Sequence, residues 1–566
     1  MEDRMQAARI AYFSMEIALD ENIPTYSGGL GVLAGDSLRA AADLELPMIG
    51  VTLVHRKGYF RQELDVDGRQ IERPCSWDPA SSLEELPARI SVEIEARRVL
   101  LRAFRFEVAG ATGASVPVLL LDSDLPENAE QDRRLTDELY GGNARYRLAQ
   151  EVILGIGGVR LLRALGYSEL ERFHMNEGHA ALLGLELLDE QARARGRDMF
   201  DGEDIAHVRK LCVFTTHTPV PAGHDKFPLD LVRQVVGRPE IYQMHDVFCC
   251  DGVLNLTYLA LNLSHYVNGV AERHGEVSQH MFAAYKIEAI TNGVHVATWA
   301  APSFQTLFDH YLPGWRGDGF SLRYALQIPR DAIATAHRHA KAALMDRVRE
   351  SSRVTLDPEA LTIGFGRRAT AYKRATLLLR HPERLMQLAE AHGPIQVLYA
   401  GKAHPRDDEG KRLIAEIGRL GATLSGRLRV LYLENYDLAL AKLMVAGVDL
   451  WLNTPRPPLE ASGTSGMKAA VNGVPSLSAL DGWWLEAHIE GVTGWAIGTD
   501  HGSTAITDDE RDAQDLYDKL ERLIVPMFYT RVQEYLEIMR HTIGITGSFF
   551  NTHRMMQQYV AHAYRN

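Results

Sequence analysis

Short apolar runs alternate with longer amphipathic stretches along most of the chain, and glycine-rich or polar turns separate them. Residues 9–13 (RIAYF) read as a strand, 26–31 (YSGGLG) as a glycine loop, 32–44 as a helix and 48–54 (MIGVTLV) as a second strand. That order is one βαβ unit of the nucleotide-binding kind. Residues 90–121 alternate strongly, which predicts antiparallel strands or an insertion. Residues 173–179 (FHMNEGH) and 213–217 (VFTTH) each read as a strand running into a polar end, where open α/β sheets bind ligands. A second series begins near Leu361, with strands at 362–366, 396–400, 429–433 and 448–453 and helices at 409–421 and 438–445. The pattern predicts an α/β protein of two doubly wound Rossmann-like domains facing one another. It puts an N-terminal domain at 1–295 and a C-terminal domain at 296–535, the boundary falling within 292–330. A helical end at 536–566 is free to pack on either.

A chain of 566 residues is too long for one core. Its 46% hydrophobic and 24% charged residues are those of an ordinary globular protein. A formal charge of −13 argues against a general nucleic-acid binder, without excluding a local basic pocket. Cys75, Cys212, Cys249 and Cys250 form neither a CxxC pair nor a zinc spacing, which suggests a reducing compartment. The polar start, 1–9, predicts no signal peptide, and no apolar run predicts a membrane span. The expectation is a cytoplasmic protein.

The stretch 460–468 (EASGTSGMK) links a buried strand to a short helix read at 469–473. Backbone N–H groups at such a helix start attract an anion, and glycine lets the backbone approach it. A sheltered lysine beside a phosphate cradle, here Lys468, can form a Schiff base with an aldehyde cofactor. Taken alone, the stretch reads more readily as a tight turn with a solvated lysine, and the other stretches below reverse that. Residues 366–374 (GRRATAYKR) crowd four cations around one strand-to-helix turn, with no acid until Glu383. That is an anion site or a solvated helix face. Asn176, Glu177, His179, His217 and His224, together with Asn292 and Trp299, suit hydrogen bonding to a polyol; no HExxH-type spacing supports a metal.

Taken together, AYFSMEIAL, YSGGLG, HMNEGHAAL, TTHTPVPAGHDKF, ITNGVHVATW, FGRRATAYKR, LENYDLALA and EASGTSGMKAAVNG followed by LDGWW resemble the α-glucan (glycogen/starch/maltodextrin) phosphorylase family, of its compact bacterial and archaeal type. The resemblance implies a GT-B-type architecture with the active site in the interdomain cleft. It implies a pyridoxal 5'-phosphate cofactor held as a Schiff base on Lys468. The backbone of Gly463, Thr464 and Ser465, with Arg367 and Lys373, would cradle the cofactor phosphate, and Tyr436 would line its pocket. Arg368, Lys373 and the Gly28-Gly29-Leu30 loop would hold inorganic phosphate or the phosphate of glucose 1-phosphate. Glu460, Ser462, Gly463, Asn176, Glu177, His217 and Asn292 would meet the sugar, His217 nearest the reacting glucose. The implied reaction is reversible phosphorolysis of the non-reducing end of an α-1,4-glucan, with retention at the anomeric carbon.

The chain departs from the family's better-known members at Arg367, where they have lysine, at Thr370, where they have histidine, at Ser465-Gly466, where they have Gly-Asn, and at Asp437, often arginine. The N-terminal control segment of animal members has no counterpart before Arg9, which predicts no AMP or phosphorylation control. A homo-oligomer fits the reading, and nucleic acid, membrane and metal partners do not. Two other classes are weighed. A nucleotide-sugar glycogen synthase shares the architecture but needs no lysine after the glycine turn. A glucan-binding scaffold without activity fits poorly, because Lys468, Arg368 and Lys373 are all present.

Overall fold

The computed structural model describes residues 8–219, 224–238, 241, 244–250, 252–424, 426–498 and 508–565. The polar start, 1–7, and residues 220–223 of the TTHTPVPAGHDKF stretch lie outside the described residues. The chain divides into two compact units. The first comprises Met1–Phe60, Pro74–Ile290 and Met556–Asn566, and the second Arg61–Arg73 and Thr291–Met555. Among the described residues, no helix is long and apolar enough to cross a membrane.

In the first unit the principal strands are β1 (Ile10–Ser14), β2 (Met48–Leu53), β3 (Arg97–Ala109), β4 (Ser115–Asp122), β5 (Arg172–Asn176), β6 (Cys212–Thr215), β7 (Tyr266–Gly269) and β8 (Glu288–Ala289). They lie in the order β8-β7-β6-β5-β1-β2-β4-β3. Pairing is parallel from β8 to β4, and β3 joins β4 antiparallel. β1, β2 and β6 are buried at every position, as parallel strands covered on both faces must be. The helix Gly29–Asp43 joins β1 to β2 and lies close because Gly35 has no side chain. A Cβ there would sit 2.2 Å from the carbonyl oxygen of Ala18. The predicted βαβ unit and the antiparallel stretch at 90–121 are both present.

In the second unit β9 (Leu361–Gly366), β10 (Ile395–Ala400), β11 (Leu428–Leu433), β12 (Leu450–Asn453), β13 (Ser476–Ala479) and β14 (Gly494–Ile497) form a parallel sheet. Its order is β11-β10-β9-β12-β13-β14. The direction of winding reverses between β9 and β12. Loops after the carboxyl ends of two such strands diverge and leave a crevice, the usual ligand position in an open α/β sheet.

Three local expectations change. Residues 366–374 do not enter a helix: Ala371–Lys373 make a single 3₁₀ turn, which Arg374 closes at φ +48°. Arg374 is drawn inward by Asp509, Asp512 and the carbonyls of Thr454 and Pro455, and that pull breaks the turn. The helix after the glycine turn is Ser465–Val471, so Lys468 stands on it rather than before it. The terminal stretch is not continuous. It runs as Val532–His541 and Thr542–Gly547, then Thr552–Tyr559 and Val560–Tyr564. Between them Asn551 bridges to Val294, and Arg554 grips the carbonyls of Thr291 and Asn292. The hairpin Arg61–Leu64 with Gln70–Arg73 belongs to the second unit, where Gln62 and Gln70 bind the backbone of Gly401 and Ala403.

Candidate active site

In the first unit the reversal of winding falls between β1 and β5. Asn176, the last residue of β5, donates from Nδ2 to Ser14 Oγ at the end of β1 (3.1 Å) and accepts at Oδ1 in a 2.6 Å bond with His217 Nε2. Glu177 follows at φ +77°, a left-handed conformation costly for a glutamate. Its carboxylate repays this by accepting the backbone N–H of Gly178 (3.0 Å), the backbone N–H of His217 (2.8 Å) and the Thr218 hydroxyl (3.0 Å). Glu177 is therefore engaged with the backbone of Gly178 and His217 and with the Thr218 hydroxyl. Burial lowers the His217 imidazole to about 4, so the ring is neutral at neutral pH. His224 is buried against Thr257, and His179 pairs with Asp225 at 3.2 Å.

The glycine loop of this unit is held by a residue the motif reading did not assign. Glu16 is 2% exposed and accepts the backbone N–H of Ser27 (2.6 Å) and Gly28 (3.2 Å), while Tyr140 donates to its other oxygen (2.9 Å). A lone acid inside the apolar run FSMEIAL is the signal for such a role, because a buried charge must be paired. Gly29 and Leu30 begin the helix that follows. A Cβ at Gly29 would meet nothing within 4 Å. Gly29 is exposed, and glycine there serves neither a turn nor tight packing.

In the second unit Arg367 and Lys373 follow β9, and Glu460–Lys468 follows β12. Arg367 and Lys373 both turn inward, with side chains 7% and 6% exposed, and both close on the Glu460 carboxylate; Arg367 Nη2 lies 2.5 Å from Oε2. Burial alone pushes the Glu460 carboxyl up. The cations of Arg367 and Lys373 more than reverse it, holding the group down at about 2. Burial and the neighbouring Arg367 lower the Lys373 ammonium, against the pull of Glu460. Two cations against one carboxylate leave one positive charge in a dry place. Arg367 Nη1, Thr370 Oγ1, Asn453 Oδ1, Ser462 Oγ and Asn292 Oδ1 are buried with no hydrogen-bond partner among the described residues. Arg368, by contrast, is exposed.

Lys468 is 7% exposed, and its ammonium lies 4.2 Å from the centroid of the fully buried Trp299 ring. Trp299 thus covers the lysine. Gly463 takes φ +88°, which frees the backbone of the turn from a side chain. Ser465 Oγ accepts from Trp451 Nε1 (3.1 Å). The Tyr436 hydroxyl lies against Gly366, where a Cβ would approach it to 2.7 Å, and burial raises its pKa.

A family model described as carbohydrate phosphorylase matches residues 240–519. A maltodextrin phosphorylase of Thermococcus litoralis is 38% identical over 97% of this chain and 70% of its own length. A glycogen phosphorylase of Mycobacterium tuberculosis is 40% identical over 98% of this chain and 70% of its own length. An uncharacterised protein of Methanocaldococcus jannaschii is 30% identical over 98% of this chain and 99% of its own length.

The chain belongs to the carbohydrate phosphorylase family. Within that family's motifs, the structure brings Arg367, Lys373 and Glu460 into direct contact, and gathers Asn176, Glu177 and His217 at adjoining strand ends. It leaves Arg368 outside the Glu460 cluster. The phosphorylase motif LDGWW supplies Asp481, another residue without an assigned role. Asp481 is 3% exposed, and its carboxylate accepts the backbone N–H of Glu460 (2.8 Å) and of Gly482 (2.9 Å). Burial first, and the charge of Glu460 second, raise it to about 7.

Proposed function

We propose that the chain is an α-1,4-glucan phosphorylase, releasing α-D-glucose 1-phosphate from the non-reducing end of a glycogen- or maltodextrin-type glucan. The observation that carries this reading is the buried cluster of Arg367, Lys373 and Glu460, with its surplus positive charge and the unpartnered Arg367 Nη1. A dry site with spare positive charge and oriented donors stabilises a bound oxyanion far better than water does. An anionic phosphate beside the anomeric carbon in turn stabilises the positive charge of an oxocarbenium-like transition state. On this reading Arg367 and Lys373 hold phosphate groups, and Arg368 reaches the substrate phosphate from its exposed position. Gly29 leaves room for an anion beside its own loop, His217 donates to or accepts from a sugar hydroxyl as a neutral ring, and Asn292 and Ser462 supply further polar contacts.

The residues after β12 fit pyridoxal 5'-phosphate. Lys468 is a buried primary amine under an aromatic ring, the Gly463 turn opens the backbone, and Arg367 has an unused donor. Lys468 would hold the cofactor covalently, with the Gly463–Ser465 backbone, Arg367 and Lys373 on its phosphate and Tyr436 beside it. When bound, the cofactor supplies a phosphate group able to exchange a proton with the substrate phosphate. The reading draws His217 and Gly29 from the first unit, and Arg368, Asn292, Ser462 and the cofactor-side groups from the second. It also implies a cytoplasmic enzyme. Visible absorbance of the purified protein tests the cofactor assignment: a pyridoxal band lost on Lys468→Ala is expected, and a colourless protein active with a nucleotide sugar would overturn it.

A further inference from the structure

The LDGWW segment lies against the Glu460–Lys468 turn at three points. Asp481 accepts the N–H of Glu460 at one oxygen and the N–H of Gly482 at the other. Trp483 donates its backbone N–H to the Ser462 carbonyl at 3.0 Å. Gly482, at φ +55°, passes so close that a Cβ would lie 2.5 Å from that same carbonyl oxygen. The Trp483 ring then closes on Gly466, where a Cβ would come within 2.6 Å of Cζ2, at the start of the helix carrying Lys468. Trp483 is itself pinned by Trp484 and Phe550, with ring centroids at 5.2 and 5.1 Å.

We propose that Asp481 is a positioning residue that acts through Glu460. By fixing the backbone N–H of Glu460, it sets where the Glu460 carboxylate meets Arg367 and Lys373, and so where that pair can present its spare charge. Gly482 and Trp483 brace the other end of the same turn. This assignment rests on the phosphorylase reading above and adds to it a residue two steps from the reacting atoms. The physical basis is that a carboxylate with two backbone donors tolerates no loss of an acceptor. Asparagine at 481 keeps the shape but turns an NH₂ group toward one of the two N–H groups, and one contact fails. A site whose charges must be held within a fraction of an ångström loses activity when its support loosens, even though nothing touching the substrate has changed.

The test is a double-mutant cycle on the holoenzyme with maltodextrin and inorganic phosphate. Asp481→Asn should lower kcat/KM by about 10- to 100-fold, the scale of one buried N–H left without its acceptor. Its cofactor absorbance should stay at the parent's, and its melting temperature should fall by no more than several degrees, the cost of one unmet buried N–H. In a Glu460→Gln background the same change should cost less than about twofold, because its route of action is already gone. Losses that multiply in the double variant, or an Asp481→Asn protein that fails to fold or load cofactor, would overturn the assignment and make Asp481 a structural residue. A parent chain that releases no glucose 1-phosphate overturns the functional reading and this assignment with it. An active parent with multiplying losses overturns the assignment alone.

Discussion

Replacing Glu460 with glutamine removes the carboxylate that faces two buried cations. Breaking a buried ion pair from one side costs about 3–5 kcal/mol, because the remaining charge stays desolvated and unpaired. The carboxyl gives a similar figure. Held down from 4.5 to about 2, it contributes roughly 3 kcal/mol at neutral pH. The sign follows from proton binding. A carboxylate whose folded pKa is depressed stabilises the fold above its unfolded value, and that stability is lost as pH falls from about 4.5 through about 2. Glu460→Gln should therefore unfold with about 3 kcal/mol less stability than the parent at neutral pH, and the gap should narrow across that acid window. Added inorganic phosphate should stabilise the variant more than the parent, since an anion can take the vacated place. Denaturant unfolding followed by tryptophan fluorescence reads this in the second unit, where Trp451, Trp483, Trp484 and Trp495 are fully buried. Equal midpoints for variant and parent at neutral pH, with no response to phosphate, would refute the argument that Glu460 balances a buried surplus of positive charge.

Gly29→Ala should leave the melting temperature unchanged or slightly raised, because its Cβ enters open space at a helix start, yet it should raise KM for phosphate severalfold; steady-state kinetics beside a thermal melt checks both. Arg368→Ala should keep the cofactor absorbance and lose about 2–4 kcal/mol of transition-state stabilisation, seen as a fall of orders of magnitude in phosphate-dependent kcat/KM. Borohydride treatment followed by peptide mapping should place the cofactor on Lys468, and a label on another lysine would contradict the assignment. His217, neutral with its pKa lowered to about 4, stabilises the fold above its ordinary 6.5 and loses that contribution as pH falls toward 4. His217→Gln should accordingly flatten the acid limb of the stability profile between those values.

The strands were legible because parallel strands covered on both faces are short unbroken apolar runs, and β1, β9, β10 and β12 begin or end within two residues of where the pattern puts them. The glycine turns were legible for a similar reason, since Gly463 and Gly473 do take left-handed conformations. Tertiary pull was not. Nothing local tells Arg374 to abandon a helix for Asp509 and Asp512, which lie far along the chain. Nor does a helical period show that Asn551 will bridge to Val294 and break the last helix. The same limit applies to the site. Motif residues identify Lys468, Arg367 and Lys373; the support Glu16 leaves only the trace of a lone acid in an apolar run, and Asp481 acts through backbone N–H groups that carry no sequence signature. Arg367 and Arg368 are neighbours of one type, and only the structure separates the buried one on Glu460 from the exposed one.

Phosphorolysis itself tests the central claim most directly. Purified protein, maltodextrin and inorganic phosphate should yield glucose 1-phosphate of α configuration, resolved by NMR, at a rate that vanishes when phosphate is omitted. Free glucose released without phosphate, or chain extension that needs a nucleotide sugar, would contradict it.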